Sequence, residues 1–309
     1  MNAKLDRPAI KDYRSSIDGS RACTRLSNGV RMPWLGLGTA GVWTPHHKSS
    51  QGTPALGSVE GVAEAVSAAL DVGYRHVDTA AFYGNEEAVG RGIAAHPVDR
   101  EQVFVTTKVW NDDIAAGPEA TRAAIESSLE RLGVEVVDLV LLHWPVPGYQ
   151  QAWRVLEDVY ARGTASAIGV SNFQVPQLEQ LLAQATIAPM VDQVEFHPYL
   201  VQPDLLRFCR AHSIQHAGWS PLMVGRVDEL PEIVRIADAH DRTPFQVAIR
   251  WALQHDSVTI PKSVKSERIA ENADVFSFEL THDEMQAIDG LDRDARIGPD
   301  PESFPANWA

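Results

Sequence analysis

The chain has 309 residues, 44% hydrophobic and 22% charged, which is an ordinary globular composition and enough for one large core or two modest ones. Its 41 acidic residues outnumber the 27 lysines and arginines, and the formal net charge of -14 argues against a general binder of nucleic acid or of anionic membrane surfaces. Its two cysteines form neither a disulfide framework nor a metal motif, and no apolar run approaches the roughly 20 residues that span a bilayer. We therefore predict a soluble, cytoplasmic protein that binds neither nucleic acid nor membranes.

The first predicted element along the chain is a hairpin. Residues 1–20 are polar and follow neither hydrophobic period, so we expect a polar tail followed by a single domain over residues 21–309. In CTRLSNGVRMP, the pair Asn28-Gly29 stands between two short alternating segments. This pattern predicts a β-hairpin with a type I′ turn.

Short apolar runs and helical patterns then alternate along the chain. The runs are WLGLGT, YRHVDTA, VFVTTKV, VVDLVLLHW, ASAIGVSN, MVDQVEF, IQHAGWS and SVTIPKS. Between them lie amphipathic stretches with apolar residues three and four positions apart, such as GPEATRAAIESSLERLG. This alternation predicts an α/β fold of parallel strands with helical crossovers, best fitted by a closed (β/α)8 TIM barrel. A doubly wound open sheet is the alternative, but no GxGxxG fingerprint follows the first run.

Further segments are predicted as additions to the barrel. Two helical patterns, ELPEIVRIADAH and TPFQVAIRWALQH, lie between the seventh and eighth runs, and THDEMQAIDGLD follows the last run. A long polar segment, residues 44–58, follows the first run and would lie above the catalytic face. It contains His46 and His47, but adjacent histidines without carboxylate partners do not form a metal site, so we expect no metal.

Four titratable residues lie at or just after the ends of three consecutive predicted strands. Asp78 ends the second run with Tyr83 in the following loop, Lys108 lies near the end of the third run, and His143 near the end of the fourth. Barrel enzymes carry their working residues at these ends. A buried ammonium beside a phenol favours the phenolate and lowers the phenol pKa, and a carboxylate keeps that ammonium charged. The set therefore predicts a proton donor placed beside a carbonyl group.

Each of the four residues also has a structural interpretation. An Asp-Lys pair is more often a buried ion pair, a strand histidine is usually a hydrogen-bonded core residue, and a loop tyrosine can serve only as a cap. The functional interpretation rests on the four occurring together, because each is costly to bury without the others.

The motifs GYRHVDTAAFYGNE, TTKVWN, LLHWP, GVSNF, VDQVEFHPY, WSPL and IPKSV resemble the aldo-keto reductase family, in the same order and over nearly the whole chain. The similarity is strongest to bacterial diketogluconate-reductase-type members. It implies a barrel closed at the bottom by the N-terminal hairpin, and an NADPH-dependent reductase of small-molecule carbonyl compounds. In this family pattern, Tyr83 is the general acid, Lys108 held by Asp78 lowers its pKa, and His143 positions the carbonyl.

The resemblance also implies binding residues for NADPH and for the substrate. The cofactor positions are Ser171, Asn172, Gln193, Trp219, Ser220, Leu222, Lys262, Ser263, Val264, Arg268, Glu271 and Asn272. In IPKSVKSER, cations gathered at a helix start in an otherwise acidic chain fit the 2′-phosphate of NADPH, although a solvated helix face is the plainer interpretation. The substrate positions are Trp43, Trp110 and Trp144.

The sequence leaves two other functions open. A protein of the same fold that senses NADPH with slow turnover is the principal alternative. A metal-dependent barrel hydrolase would need more His and carboxylate ligands at strand ends than Asp78 and His143 supply. The sequence names neither the physiological carbonyl nor the direction of flux, and we expect a monomer.

Overall fold

The computed structural model describes residues 22–41 and 59–304. The polar tail at residues 1–20, Trp43, and the segment at 44–58 with His46 and His47 lie outside the described residues, so the expectations for them stay predictions. The strands are β1 (Cys23–Arg25), β2 (Arg31–Pro33), β3 (Leu37–Gly38), β4 (His76–Asp78), β5 (Phe104–Val109), β6 (Val137–Leu142), β7 (Ala165–Ser171), β8 (Val191–Glu195), β9 (Gln215–Trp219) and β10 (Val258–Thr259).

Helices alternate with these strands, as the amphipathic stretches predict. They are α1 (Val59–Asp71), α2 (Glu86–Ala94), α3 (Asn111–Ala115), α4 (Pro118–Leu132), α5 (Tyr149–Ala161), α6 (Val175–Leu182), α7 (Pro203–Ala211), α8 (Pro231–His240), α9 (Pro244–Gln254), α10 (Ser266–Ala273) and α11 (His282–Asp289). Short 3₁₀ turns cover Ala81–Tyr83, Arg100–Gln102, Met223–Gly225 and Val227–Glu229. Within the described ranges, no helix has the length and apolar character needed to cross a membrane.

The strands β3 to β10 form one parallel sheet in sequence order. Two bridges, Leu35 to Thr259 and Gly38 to Lys262, join its first and last strands and close the sheet into a barrel. The strand sequences explain this architecture: VDLVLL of β6 is apolar along nearly its whole length, as expected where a strand faces the barrel interior on one side and helices on the other. The predicted barrel is therefore confirmed, and the open sheet is not formed.

The N-terminal hairpin closes the bottom of the barrel. β1 pairs with β2 antiparallel, and Thr24 Oγ1 donates to Gln215 Oε1 at 2.7 Å while Asn28 Nδ2 donates to Ser166 O at 2.9 Å. Gln215 and Ser166 lie at the amino-terminal ends of β9 and β7, which is the end opposite the predicted site.

The hairpin turn is not the predicted type I′. That turn needs positive φ at both central residues, whereas Gly29 has φ 89° and Asn28 is not among the residues with positive φ. Gly29 N donates to Leu26 O and Leu26 N donates to Val30 O, so the loop is three residues long with glycine in the left-handed position. The extra residue places the Asn28 side chain where it reaches the Ser166 carbonyl.

The additional helices occur where the sequence predicts them. α8 and α9 lie between β9 and β10, and α11 follows α10. Thr243 and Gln246 form a capping box at the start of α9, and Thr281 and Glu284 form one at the start of α11. Residues 246–254 of α9 are all buried, because α9 packs on one side against the main barrel core and on the other against a second apolar cluster formed with α8 and α11.

Candidate active site

A buried ion pair lies at the carboxyl ends of β4 and β5. Lys108 Nζ donates to Asp78 Oδ1 at 2.6 Å and to Thr79 O at 2.9 Å, and the two side chains are 1% and 2% exposed. Burial lowers the pKa of the Lys108 ammonium, but Asp78 and Tyr83 raise it more, so the net pKa lies above its ordinary value. Lys108 is therefore a permanent positive charge at neutral pH.

Tyr83 lies beside this charge, at the end of the 3₁₀ turn that follows β4. The Lys108 ammonium is 5.1 Å from the centroid of the Tyr83 ring. Burial raises the pKa of the Tyr83 phenol, and Lys108 lowers it by a smaller amount. Lys108 thus acts in the predicted direction, but the predicted net decrease is wrong because desolvation of the phenolate outweighs the attraction of the ammonium. The phenol keeps its proton near neutrality.

His143 follows the last residue of β6 and faces Tyr83. The two ring centroids are 5.7 Å apart in an edge-to-face arrangement, and His143 is 6% exposed. Burial and the nearby Lys108 charge lower the pKa of the His143 imidazole well below its usual value. A neutral imidazole has one N–H, so His143 can donate a hydrogen bond without carrying charge. The structure thus brings the four predicted residues together. We call Asp78, Tyr83, Lys108 and His143 the tetrad.

A network of hydrogen bonds joins these four residues to the end of β7, the middle of β8 and the end of β9. Gln193 Nε2 donates to Asp78 Oδ2 at 2.7 Å, and Ser171 Oγ donates to Gln193 O at 2.7 Å. Asn172 has φ 63°, a left-handed conformation. Its Nδ2 donates to His143 O at 2.9 Å and to Ser171 Oγ at 3.1 Å.

Trp219 extends this network. Its Nε1 donates to Asn172 Oδ1 at 2.9 Å, which leaves one lone pair of that oxygen for a ligand. The ring of Trp219 is half-buried at the end of β9. Four residues that the sequence assigns to the nicotinamide end of a cofactor, Ser171, Asn172, Gln193 and Trp219, therefore form one connected wall.

The loop after β9 contains two further predicted cofactor residues. Ser220 follows Trp219 directly, with φ 58°, and Leu222 is half-buried two residues further on. Met223 and Val224 also have positive φ, at 50° and 57°. A β-branched residue in this conformation is strained, and such strain clusters at ligand sites.

The predicted phosphate site lies between β10 and α10. Lys262 and Ser263 follow β10, while Val264 and Arg268 are exposed and Arg268 lies in the first turn of α10. Burial lowers the pKa of the half-buried Lys262 ammonium. Within residues 22–41 and 59–304, neither Lys262 nor Arg268 makes an ion pair, nor does Lys265 between them, so the positive charge of this loop is not neutralised there.

Glu271 and Asn272, the predicted adenosine contacts, lie one turn further along α10. The Glu271 carboxylate accepts a hydrogen bond from Thr243 Oγ1 at 2.6 Å, which ties α10 to the start of α9. Asn272 is 4% exposed. Glu271 is thus fixed by the protein itself, whatever else it contacts.

An aromatic wall stands beside His143. Phe82 stacks on Trp110 with ring centroids 3.7 Å apart, and Trp144 contacts Phe304 at 4.2 Å. Trp110 and Trp144 are predicted substrate residues, and Trp43 is outside the described residues. Phe82 and Phe304 are not among the residues predicted from the sequence. Phe82 could have been found from its position directly before Tyr83, whereas no local pattern marks Phe304.

The described part of the chain holds no group of three or more His, Cys, Asp or Glu side chains arranged to bind a metal ion. The chemistry available from these residues is that of a protonated phenol, a fixed ammonium and a neutral imidazole beside one aromatic wall.

Comparison with known proteins agrees with this geometry. The model of the aldo/keto reductase family matches residues 35–293, and the chain belongs to that family. It is 50% identical over 281 residues to the glyoxal reductase of Bacillus subtilis, covering 91% of this chain and 96% of the relative. It is 41% identical over 285 residues to the methylglyoxal reductase DkgA of Escherichia coli, covering 91% and 97%.

Solved structures agree as well. An aldo-keto reductase of Bombyx mori, solved in complex with NADP, is 33% identical and superposes with a TM-score of 0.81 over 92% of this chain and 96% of that one. The predicted family and its similarity to diketogluconate-reductase-type members are thereby confirmed, since DkgA is among the relatives.

Proposed function

We propose that this protein is an NADPH-dependent reductase of aldehydes and ketones in which Tyr83 delivers the proton. The observation that carries this proposal is the placement of the protonated Tyr83 phenol beside both the Lys108 ammonium and the neutral His143 imidazole. Family membership and the names of the reductase relatives support carbonyl reduction as the reaction class.

The residues present fit NADPH. When bound, NADPH supplies the hydride. Ser171, Asn172 and Gln193 would hold its carboxamide and Trp219 would lie against its nicotinamide ring, with Ser220 and Leu222 alongside. The segment from Lys262 to Arg268, which includes the first turn of α10, carries positive charge that is not neutralised within the described residues, which suits the 2′-phosphate and favours NADPH over NADH.

Each residue of the tetrad has a separate role in the proton transfer. His143 donates a hydrogen bond to the substrate carbonyl oxygen and so orients it toward Tyr83. Tyr83 gives its phenolic proton to that oxygen as negative charge develops there. Lys108 stabilises the phenolate that Tyr83 becomes, and Asp78 keeps Lys108 charged and in place. Positioned proton transfer of this kind contributes roughly 10²- to 10⁴-fold to a rate.

We propose small reactive aldehydes, dicarbonyls included, as the substrate class. Phe82, Trp110, Trp144 and Phe304 form an aromatic wall beside His143, and flat aromatic faces suit a compact, planar carbonyl compound. Two relatives are named for glyoxal and methylglyoxal reduction, which points to the same class.

The test is the consumption of NADPH, followed by absorbance of the reduced nicotinamide, across a panel of aldehydes, ketones and dicarbonyls. The expected result is turnover of at least the reactive aldehydes, with NADH a poorer donor. Tight NADPH binding with no turnover across the panel would favour a cofactor sensor and contradict the reductase.

A further inference from the structure

A C-terminal segment, residues 291–304, crosses the carboxyl ends of the barrel strands; we call it the strap. Its first part is fixed to the loop after β8. Arg293 N and Ala295 N both donate to Tyr199 O, at 3.2 and 3.0 Å, and the Arg293 guanidinium lies 4.1 Å from the centroid of the Tyr199 ring. The strap therefore starts from a fixed point beside the candidate site.

The middle of the strap is fastened to one buried carboxylate. Glu195, the last residue of β8, has a fully buried side chain. Its Oε1 accepts hydrogen bonds from Ile297 N at 2.6 Å and Gly298 N at 3.1 Å, and it lies 2.9 Å from His197 Nε2. Two of these three partners come from the strap, so the burial of this carboxylate depends on the strap being in place.

The strap backbone at this point lies directly against Trp219. A β-carbon on Gly298 would be 2.4 Å from Cη2 of the Trp219 ring and 3.4 Å from Glu195 Oε2. No side chain fits in that gap, so glycine is required by contact. Trp219 is consequently held from two directions, by Asn172 through its ring nitrogen and by the strap at the far edge of its ring.

The end of the strap forms part of the aromatic wall. Phe304, six residues beyond Gly298, is 8% exposed and contacts Trp144, with Trp110 at 6.5 Å between centroids. The fastening at Glu195 thus coincides with the strap's contact at Trp219 and lies six residues before its contact at Trp144.

We propose that Glu195 is a positioning residue that clasps the strap over the site, fixing the Trp219 ring and the Phe304 side of the substrate pocket. This inference rests on the proposed reductase function, because Trp219 and Phe304 matter to the reaction only if carbonyl and nicotinamide bind there. Glu195 acts through the strap. Within the described residues, its carboxylate makes no hydrogen bond to any of the four tetrad side chains.

The direct test is Glu195→Gln. The amide keeps the shape of the side chain but removes its charge and turns an –NH2 group toward donors that need an acceptor. The bond between Arg296 and Ile297, at the edge of the clasp, is a trypsin site. Cleavage there, followed by mass spectrometry, is expected to be roughly 10- to 100-fold faster in the variant, as for the loss of a hydrogen bond to a charged group.

The kinetic readout is a split between KM and kcat. The KM for the carbonyl is expected to rise about tenfold, while kcat stays within about twofold, because Tyr83, Lys108 and Asp78 keep their contacts. Glu302→Gln is the matched control: it removes the same charge from an exposed position in the same strap and should change neither readout. Gly298→Ala leaves the Glu195 charge intact and should still speed cleavage, because its methyl group displaces the strap from Trp219.

Unchanged cleavage in folded Glu195→Gln would overturn the clasp, and so would faster cleavage with an unchanged carbonyl KM. If Glu195→Gln does not fold, Glu195→Asp, which keeps the charge but withdraws the carboxylate by one methylene from Ile297 N and Gly298 N, decides by the same two readouts. A wild-type protein that reduces no carbonyl would overturn the proposed function instead, while the cleavage comparison would still test the clasp.

Discussion

Asp78 divides its two carboxylate oxygens between Lys108 and Gln193, accepting Lys108 Nζ at 2.6 Å through Oδ1 and Gln193 Nε2 at 2.7 Å through Oδ2. One side chain thereby links the charged group beside the proton donor to the wall that would receive the cofactor. Loss of this carboxylate should affect both the stability of the fold and the chemistry.

Asp78→Asn is expected to leave the Lys108 ammonium buried without a counter-ion. Removing one partner of a buried pair typically costs about 3 to 5 kcal/mol, and the unfolding free energy in urea measures it. Turnover should fall as well. A buried ammonium without a counter-ion tends to lose its proton, and an uncharged Lys108 no longer stabilises the Tyr83 phenolate. Asp204→Asn, an exposed position on α7, is the control, and an equal effect of both substitutions would contradict the role of Asp78.

The pH dependence of reduction follows from Tyr83 and His143. Burial raises the pKa of Tyr83 above its ordinary value, so its proton is present through neutral and mildly alkaline pH and is lost only in stronger base. The pKa of His143 is well below its usual value, so this residue stays neutral through pH 6.5. We expect kcat/KM to be level between about pH 6 and 9 and to fall at higher pH. A fall centred near pH 6.5 would mean that His143 titrates normally.

Buried histidines should make the protein lose stability in acid. Burial lowers the pKa of His76 to about 4 and that of His216 to about 3, whereas an unfolded histidine takes up its proton near pH 6.5. Below pH 6.5 the unfolded chain binds more protons, so the unfolding free energy should fall by up to about 1.4 kcal/mol per pH unit for each such histidine.

The comparison of two single variants isolates this effect. His216→Gln should show a shallower loss of stability between pH 6.5 and 4.5 than the wild type. His212→Gln, at an exposed position, should retain the full slope. Equal slopes in the two variants would refute the contribution of His216.

Asp192 should act in the opposite sense. It is fully buried in β8, and burial raises the pKa of its carboxyl well above the ordinary value. The folded protein then holds a proton that the unfolded chain releases above about pH 4, so this residue costs stability as pH rises. Asp192→Asn is expected to increase the unfolding free energy at pH 7 by on the order of 1 to 3 kcal/mol, with a smaller gain at pH 4. No gain at pH 7 would contradict this account.

Lys262→Ala and Arg268→Ala should reduce the preference for NADPH. Each removes a charge that is not neutralised within the described part of the chain, so we expect the KM for NADPH to rise about tenfold or more while the KM for NADH changes little. Arg207→Ala, a surface cation already paired with Asp204, is the control. Equal loss with both cofactors would mean that the loop does not contact the 2′-phosphate.

Local sequence patterns were sufficient to predict most of the barrel. Each apolar run became a strand because parallel barrel strands are buried on both sides, and α8, α9 and α11 were predictable from their helical periodicity. The hairpin was predicted, but its turn was not, because the Asn-Gly pair also suits a three-residue loop with only glycine in the left-handed region.

The site was predictable where its residues fall at strand ends, and less so elsewhere. Asp78, Lys108 and His143 project from consecutive strands, so topology alone brings them together. The Glu195 contact with Ile297 and Gly298 joins positions 102 and 103 residues apart and leaves no periodic signal. The net pKa shift of Tyr83 could not be predicted from the sequence either. Its sign depends on how strongly desolvation, which raises the pKa, opposes Lys108, which lowers it, and the sequence predicts only the direction of the Lys108 effect.

Tyr83→Phe tests the central claim most directly. The substitution removes only the phenolic hydroxyl, so NADPH binding, measured by tryptophan fluorescence, should be unchanged while carbonyl reduction falls by roughly 10²-fold or more. Tyr160→Phe, at the barrel bottom where Tyr160 accepts a hydrogen bond from Asn28, is the matched control and should retain activity. Turnover by folded Tyr83→Phe within a few-fold of the wild type would contradict the assignment of Tyr83 as the proton donor.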